Sequence, residues 1–568
     1  KQKTAYEMLR SLVGSEMCIR DRFYGVPIFY MPKYSWVLSG RGSGFLTPDY
    51  SSYSEPDKQE DSYSIRIPYY VNLAPDRDLL VALNYMSSRG FTYEGKYRQL
   101  IFPKISPKHR DSIWSMEGKY LPKDKITNLK RWLFNFSQDI FLSDKVHLSA
   151  QYYRVSDAKY FKEVARTNTN VDTINSQINL SYTDDENNLS AHLLSEDIQV
   201  VNDGTPIYTR ALEGSFSSTL NADSKMPITA SIVSTKFAHD LVTKESGLRT
   251  HGDLGISRKL NFKYPIITPS ASVAITNYSL KNSPNINRTI LGSGLSIDFT
   301  INNPSNIFGY EVNHRITPLI TYNYRAKKVQ GNIPIFDSTD KYADIISFAD
   351  LTSGERYNGL DRITNANDIT LSLDSSYLEI GTDKEILSLK IAQSFYTDDE
   401  VVSDTASVNY ETRKSYSDIA ASINVAVGKY VVSSAAQFNP ETSKIVKKEN
   451  AISYTSNSRK FISLIFTDEG NKETEKLYGA YPLMDSIHLF GALDKTTSTG
   501  ITNSETTGIA YESCCWAFRL AHFKTSNKLG GHDYSTGMEL VLTGLGSTSS
   551  PLKGKIEGQI PGYRAKLR

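Results

Sequence analysis

A two-residue alternation of apolar and polar side chains recurs along most of this chain and constrains its fold more than any other feature. Clear examples lie at 146–153, 295–300, 369–374 and 387–392. Because successive side chains on a β-strand point to opposite faces, each segment predicts a strand with one apolar and one polar face. Polar connections rich in Asn, Asp, Ser, Thr and Gly separate these segments, as at 184–188, 221–225 and 468–472. The sequence therefore predicts an all-β protein.

These turn or loop signals recur from about residue 45 to residue 546, and no linker or shift in composition divides that length. A soluble sandwich also alternates, but it closes within roughly 100 to 250 residues. A longer open sheet would leave a vulnerable edge, and closure into a barrel removes that edge. At roughly 20 residues for each strand with its connection, the segment supplies about two dozen strands. We therefore predict a large antiparallel transmembrane β-barrel over 43–546.

Composition agrees with a barrel whose inner wall faces water. Apolar residues make up 39% of the chain and aromatics 11%, so the chain is poor in aliphatic side chains. Only the lipid-facing half of each strand in a wide barrel must be apolar. No apolar run approaches the roughly 18 residues of a membrane-spanning helix. The net charge of +2 gives no argument for a nucleic-acid partner.

The two ends of the chain depart from the alternation. Residues 1–22 place apolar side chains at helical spacing but lack the apolar core of a secretion signal, and we interpret them as a non-native or artefactual leader. Residues 547–568 contain two Pro and three Gly and predict an irregular C-terminal tail. Without an initial Met or a secretion signal, we expect a fragment of a longer protein.

Sequence signatures of catalysis and metal binding are missing. The nine His include no pair closer than ten residues, and there is no His-Glu-x-x-His or Cys-x-x-Cys motif. We also find no Gly-x-Ser-x-Gly elbow and no phosphate-binding Gly-Lys-Ser/Thr loop. We therefore expect no enzymatic activity, no metal site and no cofactor.

Three cysteines raise a separate question. Cys18 falls in the leader, whereas Cys514 and Cys515 are adjacent in a segment, 511–523, that alternates like one strand. Neighbours on a strand point to opposite faces and are poorly placed to bond each other. Either both thiols are free and packed, or their partners lie in a part of the protein absent from this chain.

Several motifs, in chain order, resemble one family. Each motif alone is weak, but together they resemble the LptD family of lipopolysaccharide-assembly proteins of Gram-negative outer membranes. The motifs are Phe29-Tyr30-Met31-Pro32, the segments 43–48, 67–75 and 84–90, Tyr120-Leu121-Pro122-Lys123-Asp124 with Arg131-Trp132-Leu133-Phe134, Val155-Ser156-Asp157 with Tyr160-Phe161, Tyr357-Asn358-Gly359-Leu360-Asp361-Arg362, and Tyr511-Glu512-Ser513-Cys514-Cys515-Trp516-Ala517-Phe518-Arg519.

This resemblance implies a two-part protein at the cell outer membrane of a Gram-negative bacterium. A periplasmic jelly-roll would receive lipopolysaccharide from a periplasmic bridge protein, and a 26-stranded barrel would hold a plug lipoprotein of the LptE type in its lumen. Only the last part of the jelly-roll would remain here, at 23–42. The resemblance also implies that Cys514 and Cys515 form disulfides to cysteines of the missing periplasmic part.

Two prolines near the first strands carry the remaining prediction. Pro48 and Pro68 each remove a backbone donor from the ladder, although both could simply mark strand starts. The resemblance implies that they loosen a lateral gate between the first strand and the last, which we expect at about 537–545.

We therefore expect a translocon that inserts lipopolysaccharide into the outer leaflet through the barrel lumen and this gate. One alternative is another wide plugged barrel, of the nutrient-receptor or usher type. A soluble multi-sheet adhesin or carbohydrate-binding protein is another.

Overall fold

The structure is a computed structural model. It describes residues 22–23, 26–27, 42–46, 48–54, 61–101, 112–165, 171–202, 204–262, 264–343, 345–398, 415–512, 516–526, 531–542 and 551–565. The predicted leader, 1–22, and the predicted jelly-roll remnant, 23–42, lie almost wholly outside these ranges. Within them, Arg22–Phe23 and Val26–Pro27 form a two-residue ladder separate from the main sheet.

The main sheet is a closed antiparallel barrel of 26 strands in the described part of the chain, which confirms the predicted fold class. Each strand pairs with its neighbours in chain order, and the last pairs with the first. The strands are β1 (Gly44–Phe45 and Asp49–Ser54), β2 (Asp61–Ala74), β3 (Arg77–Met86), β4 (Gly90–Ile101), β5 (Ser112–Leu121), β6 (Arg131–Phe141), β7 (Val146–Val155), β8 (Thr173–Asp184), β9 (Leu189–Val200), β10 (Thr209–Leu220), β11 (Ile228–Ala238), β12 (Gly247–Ser257 and Leu260–Asn261), β13 (Ile266–Leu280), β14 (Ile286–Asp298 and Ile301–Ile307), β15 (Tyr310–Arg325), β16 (Ala366–Glu379), β17 (Glu385–Tyr396), β18 (Ile419–Val427), β19 (Tyr430–Asn439), β20 (Lys444–Asn457), β21 (Lys460–Asp468), β22 (Glu473–Pro482), β23 (Ile487–Thr496), β24 (Ile501–Glu512), β25 (Trp516–Ser526) and β26 (His532–Leu542).

The alternation of the sequence appears in the barrel as two opposite faces. On β16, Ile369 and Leu371 are 42% and 44% exposed on the outer surface, whereas Thr370 between them is 2% exposed. Its hydroxyl hydrogen-bonds to Ser394 of β17, 2.8 Å away. Apolar outside and polar inside is the reverse of a soluble protein, and it is the pattern of a barrel surrounded by lipid.

Connections at one end of the barrel fold inward. We call the end that carries Gly44 and Leu542 the terminal end, and the opposite end the loop end. At the loop end, the connection after β7 forms a π-helical turn, Phe161–Ala165, and the connection after β15 contains helix α1, Phe348–Ser353. Both connections bury apolar side chains against the lumenal wall.

A buried ion cluster anchors the first of these connections. Arg131, at the start of β6, binds Glu163 and Asp157 at 2.6 Å each and Asp124 at 3.2 Å. Burial alone would raise the pKa of Asp124, but the N–H of Ile126 and the charge of Arg89 hold that pKa below its usual value. Three of the motifs that carry the family resemblance therefore meet in one cluster.

A second cluster anchors the connection after β15. Asp361, from the Tyr357–Arg362 motif, accepts a hydrogen bond from Arg249 of β12 at 2.8 Å. Its carboxylate also accepts hydrogen bonds from the backbone N–H groups of Phe336, at 2.7 Å, and Asp337, at 2.9 Å. Burial raises the pKa of Asp361 above its usual value. The cluster fixes the loop against the lumenal wall because each of its charges has a partner.

The C-terminal segment differs from the prediction. Residues 547–568 are not irregular throughout, because Pro551–Gln559 forms helix α2. Pro551 occupies the first position, where a missing N–H costs nothing. Leu552, Ile556 and Ile560 recur every fourth residue and bring one apolar stripe onto one face. Among the described residues, no helix combines the length and hydropathy needed to cross a membrane.

Candidate lateral seam and lumenal cavity

The closure between β26 and β1 is the shortest ladder of the ring in the described residues. Five residues of each strand pair, Asp49–Tyr53 with Ser535–Glu539. The other neighbouring strands pair over six to fourteen residues. The predicted last strand, about 537–545, begins five residues too late, since β26 spans His532–Leu542. Its last three positions, 543–545, lie outside the described residues. We call the β26–β1 closure the seam.

The two predicted prolines lie together beside the seam. The ladder between β1 and β2 stops after Phe45, which pairs with Tyr69, and resumes at Asp49, which pairs with Arg66. Pro48 and Pro68 both lie in this interruption, across which the N–H of Leu46 donates to the carbonyl oxygen of Pro68 at 2.9 Å. From one paired position to the next the chain advances four residues in β1 and three in β2, a mismatch of one residue that is typical of a β-bulge.

The alternative that both prolines mark strand starts holds only for Pro48. Pro48 is exposed and directly precedes the second segment of β1. Pro68 is buried within β2, where it stands opposite Ala82 of β3. A proline inside a strand withholds an N–H from the ladder. Pro68 therefore removes one backbone donor from the interior of β2, which extends for several residues on each side of it.

Like charges face each other across the seam. Asp49 of β1 stands directly opposite Glu539 of β26. Asp49 accepts a hydrogen bond from Arg66 of β2 at 3.0 Å, and Glu539 accepts one from Arg519 of β25 at 2.9 Å. Each carboxylate is therefore bound to a cation on its own side. Directly opposed like charges destabilise an antiparallel pair by about 0.2–1 kcal/mol.

A cavity of about 430 Å³ lies on the lumenal side of the seam. Small polar residues of the seam itself line it, including Ser51 and Ser535. Arg66 extends into its wall and binds Glu94 of β4 at 2.8 Å as well as Asp49. Helix α2 and the π-helical turn complete the wall. Among the described residues, no group of three or more His, Cys, Asp or Glu side chains could hold a metal ion.

The geometry around the cysteine pair corrects one prediction. Segment 511–523 is not one strand, because Tyr511 pairs with Phe518 and Glu512 with Ala517 across a hairpin. Cys514 and Cys515 belong to the connection between β24 and β25 and lie outside the described residues. The flanking residue Glu512 is at the terminal end of the barrel and binds Arg519 at 3.0 Å. The argument from opposite strand faces therefore does not apply to this pair.

Sequence reasoning found the prolines but missed the charged residues of the site. Asp49, Arg66 and Glu539 come together only because β26 closes onto β1, a pairing that no local pattern reports. The sequence signal that could have found them is a charged residue on the polar face of β1, β2 and β26.

Comparisons of this sequence with known proteins point to one family. The model of the family LptD, LPS transport system D, matches residues 130–493. Among similar relatives, the LPS-assembly protein LptD of Pseudoalteromonas atlantica is 25% identical over 564 residues, covering 95% of this chain and 71% of the relative. The LPS-assembly protein LptD of Nitrosococcus oceani is 24% identical over 575 residues, covering 97% of this chain and 74% of the relative.

Solved structures similar to this chain include the siderophore receptor PirA from Pseudomonas aeruginosa. It has a TM-score of 0.28 at 10% identity and covers 89% of this chain and 81% of that chain. A Rh. blastica porin mutant has a TM-score of 0.21 at 11% identity and covers 52% of this chain and 91% of that chain. The family match spans more than half of the sequence, and the chain therefore belongs to the LptD family.

Proposed function

We propose that this chain is the translocation barrel that inserts lipopolysaccharide into the outer leaflet of a Gram-negative outer membrane. Family membership and the large barrel support transport and assembly of lipopolysaccharide at that membrane. The finer mechanism is a lateral gate at the seam, with Pro48 and Pro68 as the residues that loosen it. The observation that carries this proposal is the short seam ladder of Asp49–Tyr53 with Ser535–Glu539.

A seam that opens answers a physical problem posed by the substrate. Lipopolysaccharide carries acyl chains that belong in hydrocarbon and a large sugar portion that does not. A closed ring lets no acyl chain leave sideways, and a path through lipid alone would strip the sugars of water. An opened seam would release the acyl chains into the membrane while the sugars cross the polar lumen. No covalent bond is made or broken in this step.

Among the ladders that the structure describes, the seam is the one whose opening would cost least free energy. Each backbone hydrogen bond contributes about 0.5–1.5 kcal/mol, so fewer paired residues mean a lower cost of separation. The ion pairs Arg66–Asp49 and Arg519–Glu539 lie on opposite sides of the seam and would survive its opening. The repulsion between Asp49 and Glu539 would lower the cost further.

The remaining partners are proposals that rest on the resemblance. A plug lipoprotein of the LptE type would occupy the lumen, and a periplasmic bridge protein would deliver lipopolysaccharide through a jelly-roll. A different plugged barrel, such as a nutrient receptor or usher, is the alternative. The match of residues 130–493 to the family favours lipopolysaccharide over that alternative.

Locking the seam should stop export. Ser52 of β1 stands opposite Thr536 of β26, so the pair S52C/T536C should form a disulfide across the seam. Oxidation should abolish the appearance of new lipopolysaccharide at the cell surface, and reduction should restore it. The pair H522C/T536C joins β25 to β26 without crossing the seam and is the matched control. Normal export from fully oxidised S52C/T536C would refute the gate.

Removing one of the facing charges should tighten the seam. D49N abolishes the repulsion with Glu539 and leaves Arg66 bound to Glu94. A gain of about 0.2–1 kcal/mol predicts a roughly 1.4- to 5-fold slower amide exchange at 49–53 and 535–539. High salt should reduce this difference because it screens the charges. The control is D253N on β12, where Asp253 faces Ser231 and Ala274. Faster exchange in D49N would show that the lost Arg66–Asp49 ion pair stabilises the seam more than the repulsion destabilises it.

We also propose that Cys514 and Cys515 bond cysteines of a periplasmic part absent from this chain. The nearby described residues Glu512 and Ala517 lie at the terminal end, where the chain enters the barrel at Gly44. Non-reducing gels of the full-length protein should show a mobility shift that C514S/C515S removes. An unchanged mobility in C514S/C515S would establish that both thiols are free.

A further inference from the structure

The C-terminal segment 551–565 packs inside the barrel against the wall that ends at the seam. Ile556, Ile560 and Tyr563 are fully buried in one cluster with residues of β21 to β25. The wall residues of that cluster are Phe461, Ala480, Phe490, Ala510, Ala521 and Phe523. The hydroxyl of Tyr563 hydrogen-bonds to His488 of β23 at 2.7 Å, and burial raises the pKa of Tyr563 above its usual value. The segment therefore spans the lumenal face of several consecutive strands.

The same segment holds the last strand directly. The ammonium group of Lys555 donates to the hydroxyl of Ser535 on β26 at 2.8 Å. It also lies 4.0 Å from the ring centroid of Phe523 on β25, which is a cation–π contact. Leu552 fills the space above Gly537, where a Cβ atom would come within 2.6 Å of the Leu552 side chain. A side chain at 537 would therefore force Leu552 to shift away from the seam strand.

The other side of the seam has a different construction. The ladder from β1 to β2 is interrupted at Pro48 and Pro68, whereas that from β25 to β26 is continuous from Trp516–Leu542 to Ser526–His532. The two edges of the seam therefore differ in how firmly they are attached to the barrel.

We propose that 551–565 is a lumenal brace that immobilises β26, so that the seam opens by displacement of β1 and β2. The inference rests on the proposed gate and specifies which edge moves. The brace holds one edge by apolar burial and by the Lys555 contacts, and the interrupted ladder leaves the other edge free to shift. The brace also forms part of the cavity wall that a substrate at the seam would meet.

Amide hydrogen exchange of the full chain in detergent micelles tests this asymmetry. In the unaltered chain, exchange at 49–54 should be at least tenfold faster than at 532–542, because the β1–β2 ladder is interrupted, whereas β26 pairs continuously with β25 and contacts α2. I556A/I560A removes methyl groups from the buried cluster and should accelerate exchange at 532–542 about tenfold while leaving 49–54 unchanged. The matched control I462A/I501A removes the same groups from the outer surface of β21 and β24, where both side chains are exposed.

A second variant with a smaller expected effect tests the same proposal if I556A/I560A does not fold. K555M keeps the cluster but loses the hydroxyl and ring contacts, and it should accelerate exchange at 532–542 about threefold. Equal acceleration of both edges, or none at 532–542 in a folded variant, would overturn the brace. These readings do not depend on lipopolysaccharide export. If oxidised S52C/T536C exports normally, the gate fails while the exchange data still decide whether 551–565 braces β26.

Discussion

The need to pair every backbone N–H and C=O group inside a membrane governs this structure. In hydrocarbon an unpaired group costs several kcal/mol, so a sheet that spans the membrane must close on itself. The 26 strands achieve this closure, and β26 returns to β1. If all ladders of the ring were equally strong, no pair of strands would separate easily enough to let a molecule leave sideways into the membrane. The ring is not uniform here, because its closing ladder is the shortest described and carries Asp49 opposite Glu539.

The interior follows from the same constraint. Since the outer face is apolar, the polar half of every strand faces the lumen, and its charges need partners there. Arg131 forms ion pairs with Asp124, Asp157 and Glu163, which come from two different connections. Arg249 forms ion pairs with Asp337 and Asp361. These clusters hold the inward-folded loops at the loop end. At the seam, by contrast, the charges are divided between the two edges: Arg66 binds Asp49 on one edge, and Arg519 binds Glu539 on the other.

Local patterns predicted what is local in this fold. Alternation at 369–374 and 387–392 identified β16 and β17, and the polar run 468–472 identified the turn between β21 and β22. The prolines were found because a missing N–H is a property of the residue itself. The facing of Asp49 and Glu539 was not predicted, because register between residues almost 500 positions apart depends on the closure of the whole ring. The hairpin around Cys514 and Cys515 was missed because alternation continues through it, and α2 was missed because tertiary burial of Ile556 and Ile560 outweighs the nearby Gly and Pro.

A gate with one braced edge and one interrupted edge predicts where substrate meets the protein. The most direct measurement places a photo-crosslinking residue at Tyr50 or Met538, the outward-facing pair on the two sides of the seam, and at Ile320 of β15, which is equally lipid-facing on the far side of the ring. The gate predicts lipopolysaccharide adducts at positions 50 and 538 during export and none at 320. Adducts at 320 equal to those at the seam, or none at the seam while export proceeds, would contradict lateral release between β1 and β26.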